Sequence, residues 1–378
     1  MIQFENVSQS YKNKTVLDNI SFNVEKGEIV VLIGPSGCGK TTTLKMINSL
    51  IKPSKGRILI HDEDISLKDP IKLRRNIGYV IQQIGLFPHL TARENIEIIP
   101  HIERKDKEEI NKRTLELMRM INMDSDEFLD RYPVQLSGGQ QQRIGVARAF
   151  SSDPEIILMD EPFSALDPVS RVQLQDELIE LQANLKKTIV FVTHDMDEAI
   201  KLGDRICIMN EGKIAQYDTP EKILKYPSDQ FVADFVGKNR IWANPELIRA
   251  QDIMIKEVVR ATPDISIELC LERMRSNHVE SLVITDKDRK LMGIIRAEQI
   301  WTQKDLSKPV STIIDTNISV YAPDQPILPI INNVVENNLN HVLIADNNGI
   351  LKGIISRGRL VTILSQPFIE NNEQTIIN

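Results

Sequence analysis

The stretch EIVVLIGPSGCGKTTTLKMIN, residues 28–48, constrains this chain more than any other. An apolar run of strand length, Ile29 to Ile33, enters a glycine-rich turn, and a helical pattern with Leu44 and Ile47 apolar follows. The turn fits G-x-x-x-x-G-K-[ST] through Gly34, Gly39, Lys40 and Thr41. Glycine lets the backbone curl so that successive N–H groups point at phosphate oxygens, and the helix start adds its dipole. Lys40 would bring charge to the β- and γ-phosphates and the Thr41 hydroxyl would ligate Mg2+, with Ser36, Gly37 and Thr42 completing the cradle. Strand, phosphate turn and helix in that order imply an α/β fold.

Such a loop says only that a nucleotide is bound. A second stretch, EIILMDEP at 155–162, adds chemistry. Its apolar run carries Asp160 and Glu161 to the C-terminal end of a strand, where ligands sit in open α/β sheets. Asp160 would hold Mg2+, and Glu161 would orient or deprotonate an attacking water. Between the two lies LSGGQQQRIGVARAF, residues 136–150, with Ser137 at a helix N-cap position. This is a second phosphate-binding helix start. One nucleotide does not obviously need two, which leaves room for the second to serve a neighbouring chain.

LSGGQ is the signature of ATP-binding-cassette ATPases, which the chain resembles over residues 1–236. The resemblance implies a P-loop core of RecA type with a helical subdomain, and it implies roles for further residues. Tyr11 stands where the family stacks an aromatic on adenine. Gln82, in YVIQQIGLFPHL, matches the loop glutamine that senses Mg2+ and the membrane partner. SALDP at 164–168, with Asp167, matches the D-loop, and His194 in THD matches the switch histidine at the γ-phosphate. In that family two cassettes pair head to tail, so Ser137, Gly139 and Gln140 would complete the ATP site of the other protomer.

Composition limits the alternatives. A net charge of -7 argues against a general nucleic-acid binder, and no nucleic-acid partner is expected. Cys38, Cys207 and Cys270 lack CxxC spacing, so neither a disulfide framework nor a zinc site is expected. The N-terminus does not read as a signal peptide, and no apolar run approaches the ~20 residues that span a bilayer. The charged stretch 101–118 reads as a solvated helix face. Leu174, Leu178, Leu181 and Leu185 recur at helical spacing and read as core.

The C-terminal part repeats itself with a shift of sixty. SLVITDKDRKLMGII aligns with HVLIADNNGILKGII, and Asp286, Leu291 and Gly293 meet Asp346, Leu351 and Gly353. After a linker at 237–252, the repeats at 253–306 and 311–366 resemble a tandem pair of CBS domains, with a tail at 367–378. Such pairs often bind adenosyl nucleotides, an Asp holding the ribose. Here Arg296 and Gln299 in one repeat, Ser356 and Arg359 in the other, occupy the two polar positions, and the Asp is missing from both. Arg296, Arg357 and Arg359 suit phosphates instead.

A cassette followed by CBS repeats resembles the ATPase of osmoprotectant importers, which take up glycine betaine, carnitine or choline. That resemblance implies a homodimer using ATP and Mg2+ at the cytoplasmic face of the membrane. Two transmembrane permease subunits and an extracytoplasmic binding protein would complete the transporter. It also implies regulation by ionic strength or cyclic di-AMP. Val259, Val279 and Ile354 would be the apolar walls of that dinucleotide site, His341 its adenine contact and Arg357 its phosphate contact. The alternatives are an importer of another small solute, such as an amino acid, and a regulatory nucleotide-binding protein without transport.

Overall fold

The computed structural model describes residues 1–12, 14–82, 85–164, 166–237 and 240–362. Gln83, Ala165 of the SALDP stretch, residues 238–239 of the expected linker, residues 363–366 of the second repeat and the expected tail lie outside them. The chain divides into two compact units after Gly237.

The strands of the first unit are β1 (Ile2–Tyr11), β2 (Lys14–Val24), β3 (Ile29–Ile33), β4 (Lys55–Ile60), β5 (Glu63–Asp64), β6 (Ile77–Val80), β7 (Ile156–Asp160), β8 (Thr188–Val192), β9 (Arg205–Asn210) and β10 (Lys213–Asp218). They form two sheets, a four-stranded one in the order β2-β1-β4-β5 and a six-stranded one in the order β10-β9-β3-β8-β7-β6. The larger sheet is parallel except for the antiparallel edge strand β10.

Continuous apolar runs are the mark of strands covered on both faces. IVVLI of β3 is buried at every position, and its side chains alternate between two cores. Val31 and Ile33 pack with Ile144, Phe150 and Leu178 on the helical side. Val30 and Leu32 pack with Phe4, Val7 and Leu44 on the side of the small antiparallel sheet. The expected leucine stripe lies on helix Pro168–Leu185, with Leu174, Leu178 and Leu181 buried and Leu185 packed beside them. The charged stretch contributes helix Lys107–Met120, which turns Ile110, Leu117 and Met118 inward and its charges outward.

The second unit holds strands β11 (Arg260–Ala261), β12 (Ser281–Thr285), β13 (Leu291–Arg296), β14 (Val320–Tyr321), β15 (His341–Ala345) and β16 (Leu351–Ser356). They form two three-stranded sheets of one design. Arg260 is opposite Val283 and Val320 is opposite Leu343 in the parallel pairs. Ser281 is opposite Arg296 and His341 is opposite Ser356 in the antiparallel pairs, with the register shift at the same place in both. The sixty-residue repeat thus extends to the register.

The repeats bury against each other through Val283, Ile294, Leu343 and Leu351. Each also borrows the segment that precedes the other. Ile255 bridges to Ile354 of β16, and Asp315 bridges to Ile294 of β13. Ile248, Ala250 and Ile253 belong to the core of the second repeat, whereas Val310 belongs to that of the first. Residues 240–252 are therefore not a bare linker. Their apolar side chains, with Ile241 and Trp242, are part of a packed unit.

Candidate functional site

The loop after β3 and the helix Lys40–Ile47 build one side of a 510 Å3 cleft. Gly37 and Gly39 have φ of 80° and 107°, a region open to glycine at little cost. At Gly39 a side chain would also collide with Leu17. Lys40 is buried, and its Nζ donates to the carbonyls of Gly34 at 2.7 Å and Pro35 at 3.0 Å. Ser36, Gly37, Gly39, Lys40, Thr41 and Thr42 all line the cleft, and Gly34 opens the loop.

The opposite side comes from the ends of β6, β7 and β8. Thr41 Oγ1 donates to Asp160 Oδ1 at 3.0 Å. Asp160 is buried, and burial pushes its carboxyl pKa up, opposed by the Thr41 hydrogen bond. Gln82 Nε2 donates to Glu161 Oε2 at 3.1 Å, and His194 Nδ1 lies 3.5 Å from the same oxygen. Glu161 has φ of 46°, costly for a side chain of its size, and its N–H is fixed on the Val192 carbonyl at 2.9 Å. Gln82, Glu161 and His194, far apart in sequence, therefore meet in one cleft with the phosphate loop.

The donor set fits Mg2+. That ion takes one or two protein oxygens and fills its octahedron with water and substrate phosphates. A hydroxyl and a carboxylate in contact, beside a phosphate loop, offer that arrangement. Among the described residues no cluster of three or more His, Cys, Asp or Glu side chains could hold a metal alone.

Other expected residues lie elsewhere. Ser137 caps helix Gly138–Phe150 in a reciprocal pair, its Oγ accepting from Gln140 N and its N–H donating to Gln140 Oε1. Asp167 caps helix Pro168–Leu185, and the hydrogen bond from Ser170 leads in holding its carboxyl below the usual range. Neither these residues, nor Gly139, nor the 47% exposed Tyr11 line the cleft of their own chain. Val16 does line it, and the sequence reading missed it. A lone Val in the strand TVLDNISF carries no signal that separates it from core.

In the second unit, Val279 and His341 line a common cleft, whereas Val259, Ile354 and Arg357 do not line it. Two of the three expected cationic forks, Arg296 and Arg357, are engaged. Arg296 Nη1 donates to Asp315 Oδ2 at 2.5 Å, and Arg357 Nη1 to Asn338 Oδ1 at 2.8 Å. A phosphate would have to displace Asp315 from Arg296.

A phosphate loop facing Asp160, Glu161, Gln82 and His194 on a mostly parallel sheet defines a P-loop nucleotide hydrolase. Comparison with known proteins narrows the class. The sequence profile of the ABC transporter family matches residues 17–164, and that of the CBS domain matches residues 250–300. The carnitine transport ATP-binding protein OpuCA of Listeria monocytogenes is 46% identical over 366 residues, covering 96% of this chain and 92% of that protein. The choline transport ATP-binding protein OpuBA of Bacillus subtilis is 44% identical over 367 residues, 96% of each chain. The osmoprotectant import ATP-binding protein OsmV of Salmonella typhimurium is 40% identical over 371 residues, 97% of this chain and 96% of that one. Among solved structures, a dimer of the ATP-binding cassette MJ0796 bound to ADP and Pi is similar with a TM-score of 0.54 and 37% identity, covering 58% of this chain and 99% of that one. The chain belongs to the family of ABC transporter ATP-binding proteins that join an ATPase cassette to CBS domains.

Proposed function

We propose that this ATPase powers import of quaternary-amine solutes of the glycine betaine, carnitine and choline class. The carrying observation is the convergence of Gln82 and His194 on Glu161 in the cleft of the phosphate loop. Likeness over nearly the whole chain to carnitine and choline transport proteins supports the cargo class.

The loop 34–42 would hold the phosphates of ATP, and Thr41 and Asp160 would hold Mg2+, which would neutralise phosphate charge. Glu161 accepts a proton from, or orients, the attacking water, and Gln82 and His194 hold the Glu161 carboxylate in place. Ser137, Gly139, Gln140 and Asp167 act across a homodimer. Their positions away from their own chain's cleft, and the dimeric state of the related cassette MJ0796, support that reading. Two permease subunits would dock near exposed Phe87 and Ile102, with an extracytoplasmic binding protein beyond them. Among the described residues no helix is long and apolar enough to cross a membrane, which suits a subunit held peripherally at the cytoplasmic face.

The C-terminal unit is the regulator. Cyclic di-AMP would bind where two copies bring Val259, Val279, His341, Ile354 and Arg357 together. Calorimetry on the full chain tests this: binding that Arg357→Ala weakens supports the site, and no binding removes it. Uptake of radiolabelled betaine, carnitine and choline, in a strain lacking only this chain, tests the cargo. Loss of amino-acid uptake instead would support the rival importer reading.

A further inference from the structure

The cleft in the second unit has a volume of 540 Å3, within the ~300–1,000 Å3 typical of small-molecule sites. ATP hydrolysis makes no use of it. Its floor is the edge where β12 and β15 begin, with Glu280 and His341. One wall is helix Ile267–Ser276 and the turn after it, which supply Arg275 and His278. The other wall is helix Ala297–Trp301, which supplies Glu298 and Trp301, three positions apart and so on one face.

The two walls differ in chemistry. One offers a guanidinium, the other a carboxylate beside an indole ring that is 73% exposed. Among the described residues Arg275 and Glu298 form no ion pair. Within a single copy, the groups of this cleft that would favour a nucleotide are occupied. Arg296 is held by Asp315, and Gln299, at the ribose-reading position, accepts from Arg296 N at 2.8 Å. Two carboxylates, Glu280 and Glu298, face the space a phosphate would enter. Burial first, then the charge of Arg296, hold the His341 pKa down, so the floor adds no cation.

A quaternary ammonium is attracted to an aromatic face, indole most of all, and to nearby carboxylates. A carboxylate is attracted to a guanidinium fork. We propose that this cleft binds a small zwitterion joining a quaternary ammonium to a carboxylate, the ammonium against Trp301 and Glu298 and the carboxylate on Arg275. The inference rests on the quaternary-amine reading of the cargo, and it makes the imported solute a regulatory ligand of its own ATPase.

Trp301 reports on the site. The chain has two tryptophans, so full-length protein carrying Trp242→Phe emits from the cleft alone. Titration with glycine betaine should change that emission saturably, and equal additions of sodium chloride or of glycine should not. Arg275→Gln should weaken betaine about tenfold or more, as loss of a charged hydrogen bond implies, and leave choline, which has no carboxylate, unchanged. Glu298→Gln should weaken both. Calorimetry on the unaltered chain gives the same binding constant by a route that needs no Trp242 substitution. A response that never saturates, or Arg275→Gln and Glu298→Gln proteins that bind as the parent does, overturns the proposal. So does a response to cyclic di-AMP with none to betaine. Uptake separates the two readings: betaine import that depends on this chain, with no titration signal, removes the cleft proposal alone. Saturable betaine binding without quaternary-amine import supports the cleft and removes the cargo reading.

Discussion

Glu161 sits in a left-handed backbone conformation at the end of β7, with Gln82 and His194 both on Oε2. On the proposed reading this carboxylate, held at a phosphate loop, is the general base. Glu161→Gln should therefore bind ATP and lose ~10²–10⁴-fold in turnover, measured by phosphate release. Asp160 makes a different prediction. Its folded pKa is raised by burial, so its contribution to stability is fully present below the ordinary carboxylate pKa. That contribution is lost as pH rises through the raised folded value. Above that value the buried charge weakens the fold, and Mg2+ would supply the missing countercharge. Asp160→Asn, which keeps an oxygen for Thr41, should melt higher than the parent without nucleotide and show little further rise with Mg2+ and ATP. A lower melting temperature in the apoprotein would contradict this account of Asp160.

At the scale of elements, helix Gly138–Phe150 begins with the Ser137–Gln140 capping pair. Loss of such a cap costs about 1 kcal/mol, so Ser137→Ala should lower stability by that amount in denaturant without any nucleotide. ATP-driven dimerisation, followed by sedimentation, should fall further than that loss explains. In the second unit a side chain at Gly293 would meet the Asp315 carbonyl oxygen at 2.5 Å, whereas at Gly353 it would meet the Met254 sulfur at 2.8 Å and the Ile255 carbonyl oxygen at 2.9 Å. Backbone oxygen blocks both sites but approaches more closely at Gly293, and the thioether at Gly353 is flexible. Gly293→Ala should cost about 1–3 kcal/mol and exceed Gly353→Ala in thermal melts. These elements differ in how far the sequence revealed them. The phosphate loop, the acidic strand end and the capped signature were legible because each needs particular residue types at fixed spacing. The repeat was legible as a period. The exchange of leading segments between repeats was not, since Ile248, Ala250 and Ile253 read as apolar without saying which core they enter. Nor did spacing show that Asp315 neutralises Arg296, a partner nineteen residues away beyond helix Ala297–Trp301.

At the scale of the whole molecule, an ATPase cassette and a CBS pair are joined in one chain, each with its own core. On the proposed reading the cassette supplies the chemistry and depends on a second copy for the signature residues. The CBS pair supplies a cleft whose walls carry opposite charge. On this account hydrolysis at Glu161 drives quaternary-amine import. Its most direct test is uptake of radiolabelled betaine, carnitine and choline in a strain lacking only this chain, complemented with the wild-type or the Glu161→Gln protein. The wild type should restore uptake of at least one of the three, and Glu161→Gln should restore none. Equal uptake with both proteins, or no loss of uptake when the chain is absent, would contradict it.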